Sequence, residues 1–225
     1  MAEVLVLVEH SEGALKKVTA ELITAARALG EPSAVVVGAP GTAAPLVDGL
    51  KAAGAAKIYV AESDDAANYL ITPFVDVLAS LVESAGAAGV VVAANADGKE
   101  IAGRLAARIG SGVLSDVVEV KAGGKGVHSI FGGAFTVEAQ VSAEVPIIAV
   151  RPGSIEAEPA AGGQIAAHHV VAGLGHRRDL IDGMERIHAE GEPRDAEVLG
   201  EALDLGEVVV QLGGRLLAGV ERGPG

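Results

Sequence analysis

The residues best suited to chemistry stand at one junction. Val90-Val91-Val92-Ala93-Ala94 is an apolar run of strand length, and Asn95-Ala96-Asp97-Gly98-Lys99-Glu100 follows it where a helical pattern begins. Ligands of open α/β sheets sit beyond the carboxyl ends of the strands, where helix N-termini offer unpaired N–H groups to anions. Asp97 with Glu100 three residues on also fits a capping box, Asp taking the Ser/Thr role. Capping is the favoured reading; its competitor gives Lys99 a ligand or partner contact. Arg104 and Arg108, four apart, share a helix face. That spacing suits a solvated face first, and a partner surface or a phosphate second. His10 closes the first apolar run, a place where a lone His is more often a satisfied polar residue than a ligand.

Other chemistries are absent from the sequence. With no Cys there is no disulfide, thiolate zinc site or thiol nucleophile. His168-His169, His176 and His188 lack metal-binding spacing, since neighbours on a strand point to opposite faces. Neither a phosphate loop nor a Gly-x-Ser-x-Gly elbow occurs, and Gly173-Leu174-Gly175-His176 is a Gly-x-Gly turn without its third Gly. No catalytic residue is nominated. A formal charge of −13, from 17 Lys+Arg against 30 Asp+Glu, argues against a nucleic-acid backbone as partner. The opening Met1-Ala2-Glu3 has no basic flank, and Gly or charge interrupts every apolar stretch well before a membrane-spanning length of ~18 residues. A soluble, cytoplasmic protein is expected.

The elements that must position these residues alternate in type. Glu3–Val8 reads as a strand buried on both faces. Ser11 and Glu12 read as the cap and first-turn acid of a helix carrying Leu15, Val18, Leu22, Ala26 and Leu29, stopped by Gly30. Strands over 34–37, 57–60 and 90–94 alternate with helices over 43–53, 73–85 and 98–109. The pattern predicts a doubly wound, mostly parallel open sheet. After Gly110 the rhythm changes: 117–120, 126–131 and 135–140 read as strands joined by Gly-rich turns, an antiparallel hairpin edge. Pro146–Arg151 is a last buried strand. The expected organisation is an α/β domain over 1–153, a linker over 154–165 and an atypical tail over 166–225. The tail has no aromatic residue and thus a weak core of its own, though a helix over 179–189 and a strand over 207–210 are plausible in it.

Taken together, these strings resemble the alpha subunit of electron transfer flavoprotein. The resemblance rests on Val6-Leu7-Val8-Glu9-His10, Thr24-Ala25-Ala26-Arg27-Ala28-Leu29-Gly30 and Asp97-Gly98-Lys99-Glu100 with Gly103-Arg104-Leu105-Ala106-Ala107-Arg108. It continues through Leu114-Ser115-Asp116-Val117, Ile130-Phe131-Gly132-Gly133-Ala134 and Ile148-Ala149-Val150-Arg151, in order over about residues 1–155. It implies an N-terminal domain similar to adenine-nucleotide hydrolase-like folds, followed by a domain that binds most of an FAD. It also implies a heterodimer with a beta subunit that holds AMP. That heterodimer carries electrons from acyl-CoA and related dehydrogenases, as in fatty acid beta-oxidation, to a quinone reductase, so the chain is a carrier subunit and not an enzyme. Under this resemblance Asp97–Arg108 and the Gly132-Gly133 hairpin are structural or interface features. Val208–Leu212 with Gly213, Gly214 and Arg215 resembles the strand and Gly-Gly-Arg-Gly that open the FAD domain, and those three residues are the cofactor-binding candidates. Leu216 stands where the family has its last Gly, and the family's Ser-Gly-Gln-Thr-Gly and Gln-His elements do not occur, so weak or no FAD binding by this chain alone is expected. The alternatives are a non-flavin nucleotide-binding module of universal-stress type, whose Gly-x-x-Gly and later Gly-Ser/Thr pattern is not found, and a non-functional truncated product.

Overall fold

The structure is a computed structural model that describes residues 2–160 and 162, with the backbone of 168–169 and 209–212. Strand β1 (Glu3–Leu7) runs at the centre, its residues alternating between two helical layers. Val4 and Val6 face one core with Leu22, Ile23 and Leu50, whereas Leu5 and Leu7 face another with Leu78, Leu81 and Leu105. Burial on both faces explains the unbroken apolar run of this strand. Parallel to it lie β4 (Glu31–Gly38), β5 (Lys57–Glu62), β6 (Gly89–Ala93), β7 (Val113–Val117) and β11 (Ile147–Val150), with β12 (His168–His169) on the β5 edge. The order is β12-β5-β4-β1-β6-β11-β7. The chain moves outward from β1 to β4 and β5, then returns to β6 on the other side, so the topological switch point lies between β1 and β6.

Helix α1 (Lys17–Ala26) and α2 (Val47–Ala52), the latter entered through a 3-10 turn at Ala44–Leu46, cover the first core. Helix α4 (Thr72–Ala85) and α5 (Ala96–Ile109) cover the second, each closed by a left-handed glycine, Gly86 and Gly110. A short helix α3 (Asp64–Asn68), capped by Ser63, precedes α4. The late glycine-rich strands form a sheet of their own, β8 (Glu119–Lys121), β9 (Lys125–Ile130) and β10 (Phe135–Gln140), with β13 (Val209–Leu212) beside β10. Its buried side rests on the main sheet at Gly126, where a Cβ would lie 2.9 Å from Val117 and 3.0 Å from Leu114.

Three local readings change. Ser11 does not cap α1. Instead β2 (His10–Ser11) pairs with β3 (Ala14–Leu15) across Glu12 and Gly13, both at positive φ, and the helix starts two residues after the hairpin. Glu-Gly at a two-residue turn with both φ positive is hairpin chemistry, which overrode the weak Ser-Glu cap signal. The strand expected over 117–120 straddles two strands, Val113–Val117, parallel beside β11, and Glu119–Lys121, antiparallel to Lys125–Ile130; the alternating exposure of the first concealed it. The strand expected over 207–210 is placed over 209–212, while the helix expected over 179–189 lies outside the described residues.

Candidate functional site

Arg104 and Arg108 lie further along α5, the latter in its last turn toward the amino edge, while His10, Asp97, Lys99 and Glu100 lie at or near the carboxyl edge of the parallel sheet. There a crevice of ≈ 520 Å³ opens beside the switch point, walled by Glu9, His10, Phe74, Asp97, Glu100 and Ile101 among others. Glu9, at the end of β1, accepts from Lys16 Nζ and Asn95 Nδ2, both at 3.0 Å. Thr19 fixes the same loop, donating to the Glu9 carbonyl at 2.8 Å and accepting from the Glu9 amide at 2.9 Å. Asn95 serves two elements at once: its Oδ1 accepts from Gly98 N at 2.7 Å while its Nδ2 ties the β6 end to the β1 end. Asn95, not Asp97, is therefore the N-cap of α5. Counted from it, the third position is Gly98, not a Glu, so no capping box forms.

Gly98 is required sterically, since a Cβ there would lie 2.0 Å from the Ala93 carbonyl oxygen. Glu100 pairs with Arg104 one turn on, and Arg108 pairs with Asp76 of α4. Both arginines are thus engaged, the second bracing α5 against α4. His10 Nε2 lies 3.3 Å from the Val37 carbonyl, a satisfied polar residue. Lys99 is exposed; its amide donates to the Asn95 carbonyl at 3.0 Å, and its side chain has no hydrogen bond or ion pair among the described residues.

The crevice suits an anion poorly. Glu9, Asp97 and Glu100 face it against Lys16 alone among strong cations, and the loop after β1 is a hairpin instead of a glycine-rich phosphate cradle. Neither a dinucleotide pyrophosphate nor the phosphate of AMP fits such a lining, so this crevice is not built as an FAD site. Among them, no three His, Asp or Glu side chains gather as a metal site, and no helix is long and apolar enough to cross a membrane. Gly213, Gly214 and Arg215 lie outside the described residues.

The other half of the edge is built differently. Arg151, just past β11, donates from Nε and Nη2 to the two oxygens of Asp116, at 3.0 and 2.6 Å, and from Nη2 to the Ser129 carbonyl at 3.2 Å. Asp116 occupies a bulge: Ser115 pairs with Ala149 and Val117 with Val150, leaving Asp116 between them at φ 65°. The Arg151 fork holds its carboxyl below the ordinary value against a smaller opposing effect of burial, and Lys99 and His128 add to the lowering. This clamp ties the main sheet to the β9–β10 hairpin, whose tip carries two aromatic rings in the open. Phe131 is 79% exposed and Phe135 56%, their centroids 5.8 Å apart, edge to face. Phe131, Gly132 and Gly133 all have positive φ, which turns the tip outward. Leu70, 87% exposed between α3 and α4, lies on the lip of the crevice. Sequence reasoning quoted Phe131 and Phe135 as strand residues but had no signal for their exposure, because alternation cannot say which end of a hairpin outruns its support.

The described residues thus form a doubly wound α/β scaffold whose carboxyl edge carries exposed aromatics and a salt-bridged clamp. Its family is shown by comparison: a model of the electron transfer flavoprotein domain matches residues 4–172, and the chain belongs to that family. It is 80% identical over 162 residues to an electron transfer flavoprotein subunit alpha of Mycobacterium tuberculosis, covering 72% of this chain and 51% of that protein. The same-named protein of Mycobacterium leprae is 73% identical with the same coverage, and that of Pseudomonas aeruginosa is 30% identical over 167 residues, 74% of this chain and 53% of that one. The chain spans about half the length of these curated relatives.

Proposed function

We propose that this chain acts as the N-terminal part of an electron transfer flavoprotein alpha subunit, as a docking scaffold in a heterodimer with a beta subunit and with no bond-making chemistry of its own. The observation that carries the reading is the carboxyl edge. The place where α/β enzymes assemble ligands is filled here by the Asn95–Glu9 tie and lined with acids, while Phe131 and Phe135 stand exposed beside it. That lining also tells against a nucleotide-binding module of universal-stress type.

In the complete assembly, FAD supplies the group that accepts and releases electrons. Its donors are acyl-CoA and related dehydrogenases, its acceptor is a quinone reductase, and the compartment is the cytoplasm. Within this chain Gly213, Gly214 and Arg215 are the residues proposed to meet the cofactor, in an atypical tail over 166–225 that follows the α/β domain. Co-expression with a beta subunit of mycobacterial type tests the reading. A stable one-to-one complex on gel filtration is expected, and a chain that elutes alone in the presence of folded beta subunit refutes it. Flavin absorbance near ~450 nm is a separate readout for the tail residues: their role requires colour that Arg215→Ala diminishes.

A further inference from the structure

Residues 154–165 read as a linker by composition, yet the described part of that segment and Gly153 before it are tied down at several points. Glu21, Thr24 and Arg27 stand three residues apart on α1 and so form one stripe along it. Glu21 is 1% exposed, and its Oε2 accepts from Gly153 N at 2.7 Å. Thr24 Oγ1 accepts from Glu158 N at 3.0 Å, and Arg27 Nη1 donates to the Glu158 carbonyl at 2.9 Å. Arg27 Nη2 reaches the Ala53 carbonyl at 2.6 Å, joining the segment to the end of α2. Ile155 packs on the first core, and Ser154 Oγ donates to the Arg151 carbonyl at 2.7 Å. Beyond the stripe, a Cβ on Gly54 would lie 2.8 Å from Ala160 Cβ, and one on Gly162 would lie 2.4 Å from the Lys51 carbonyl oxygen.

We infer that residues 152–160 are a docked strap, a layer of the domain in its own right. It begins at the carboxyl edge, after β11, and follows α1 to that helix's C-terminal end, which leads into the start of β4. The strap therefore carries the chain from the carboxyl edge to the amino edge, where Ala160 lies beside Gly54. Buried Glu21 gains a purpose from this: a carboxylate so enclosed needs a donor, and the Gly153 amide supplies it beside Lys17 Nζ at 3.5 Å. Because the hydrogen bonds from α1 take only backbone groups of the strap, its Ser-Ile-Glu-Ala-Glu-Pro-Ala sequence shows the contact only in Ile155. The inference stands on these contacts alone and does not depend on the partner proposed above.

Hydrogen exchange on the whole chain tests it. The Gly153 and Glu158 amides should exchange at least ~100-fold more slowly than in an unstructured segment. In a Thr24→Val/Arg27→Ala variant, exchange at Glu158 should accelerate by about 30-fold or more, from the loss of one neutral and one charge-assisted bond, with β1 and β6 amides unchanged. Wild-type amides exchanging at unstructured rates overturn the strap, as does a folded variant in which Glu158 is as protected as before. If the variant does not fold, the wild-type rates decide alone.

Discussion

Tyr59 of β5 is 5% exposed, and its hydroxyl donates to Glu3 Oε1 at 2.7 Å, while Lys57 Nζ holds Oε2 of the same carboxylate at 2.7 Å. Burial, and then the hydrogen bond to Glu3, push the phenol from an ordinary 10.0 up to about 12. A group whose pKa is raised by folding contributes stability that is complete below its unfolded value and is lost as pH rises through the folded one. Between about pH 9 and about pH 11 the unfolded chain releases this proton and the folded chain keeps it, which costs about 1.3 kcal/mol. Urea unfolding at the two pH values should show that loss in the wild type beyond what Tyr59→Phe shows. A direct reading is also available, because the chain has two tyrosines and no tryptophan. In Tyr69→Phe, the near-ultraviolet tyrosinate absorbance reports Tyr59 alone and should titrate at about 12. A midpoint near the ordinary value in that variant, or an alkaline loss in Tyr59→Phe as large as in wild type, refutes the Glu3–Tyr59 account.

Glu3 itself gives the opposite limb. Burial would raise its carboxyl, but hydrogen bonds from Lys57 and Tyr59 outweigh that and hold it below the ordinary value. Its contribution is present above the unfolded value and lost as pH falls through the folded one, so Glu3→Gln should flatten the acid limb of the stability curve in denaturant titrations. Gly98→Ala drives a methyl into the Ala93 carbonyl and should cost roughly 2–4 kcal/mol, read as a lower urea midpoint at unchanged slope. Asn95→Ala removes the α5 cap and the tie to Glu9 together; about 1–2 kcal/mol is expected, with Asp at the same position restoring the capping share only.

The parallel part of the fold was legible because its strands are buried on both faces and its helices carry a clear apolar stripe. Val90–Ala94 and Pro73–Ala85 were within a residue of β6 and α4 for that reason. Of the elements that depend on a turn or on alternation, β9 and β10 were legible between their glycine-rich turns, but two others were not. The Glu12-Gly13 hairpin was hidden under a plausible cap, and β7 alternates because only part of it faces a core. The junction at Asn95–Glu100 was rightly taken as a helix start, but the capping atom belonged to Asn95, two residues earlier than expected. Tertiary pairings such as Arg151 with Asp116, Arg108 with Asp76 and Glu21 with Gly153 span from 32 to 132 residues and leave no local pattern. The flavin-motif candidates Gly213, Gly214 and Arg215 rest on the resemblance alone.

The docking role of the carboxyl edge is tested most directly by the dissociation constant for a mycobacterial-type beta subunit, measured by calorimetry for wild type and for Phe131→Ala/Phe135→Ala. Both rings are largely in solvent, so folding stability should change little. Truncating two buried aromatic anchors in an interface typically costs at least ~2 kcal/mol, so binding should weaken by about 30-fold or more. Equal affinity for the two proteins, or no binding by the folded wild type, contradicts the account.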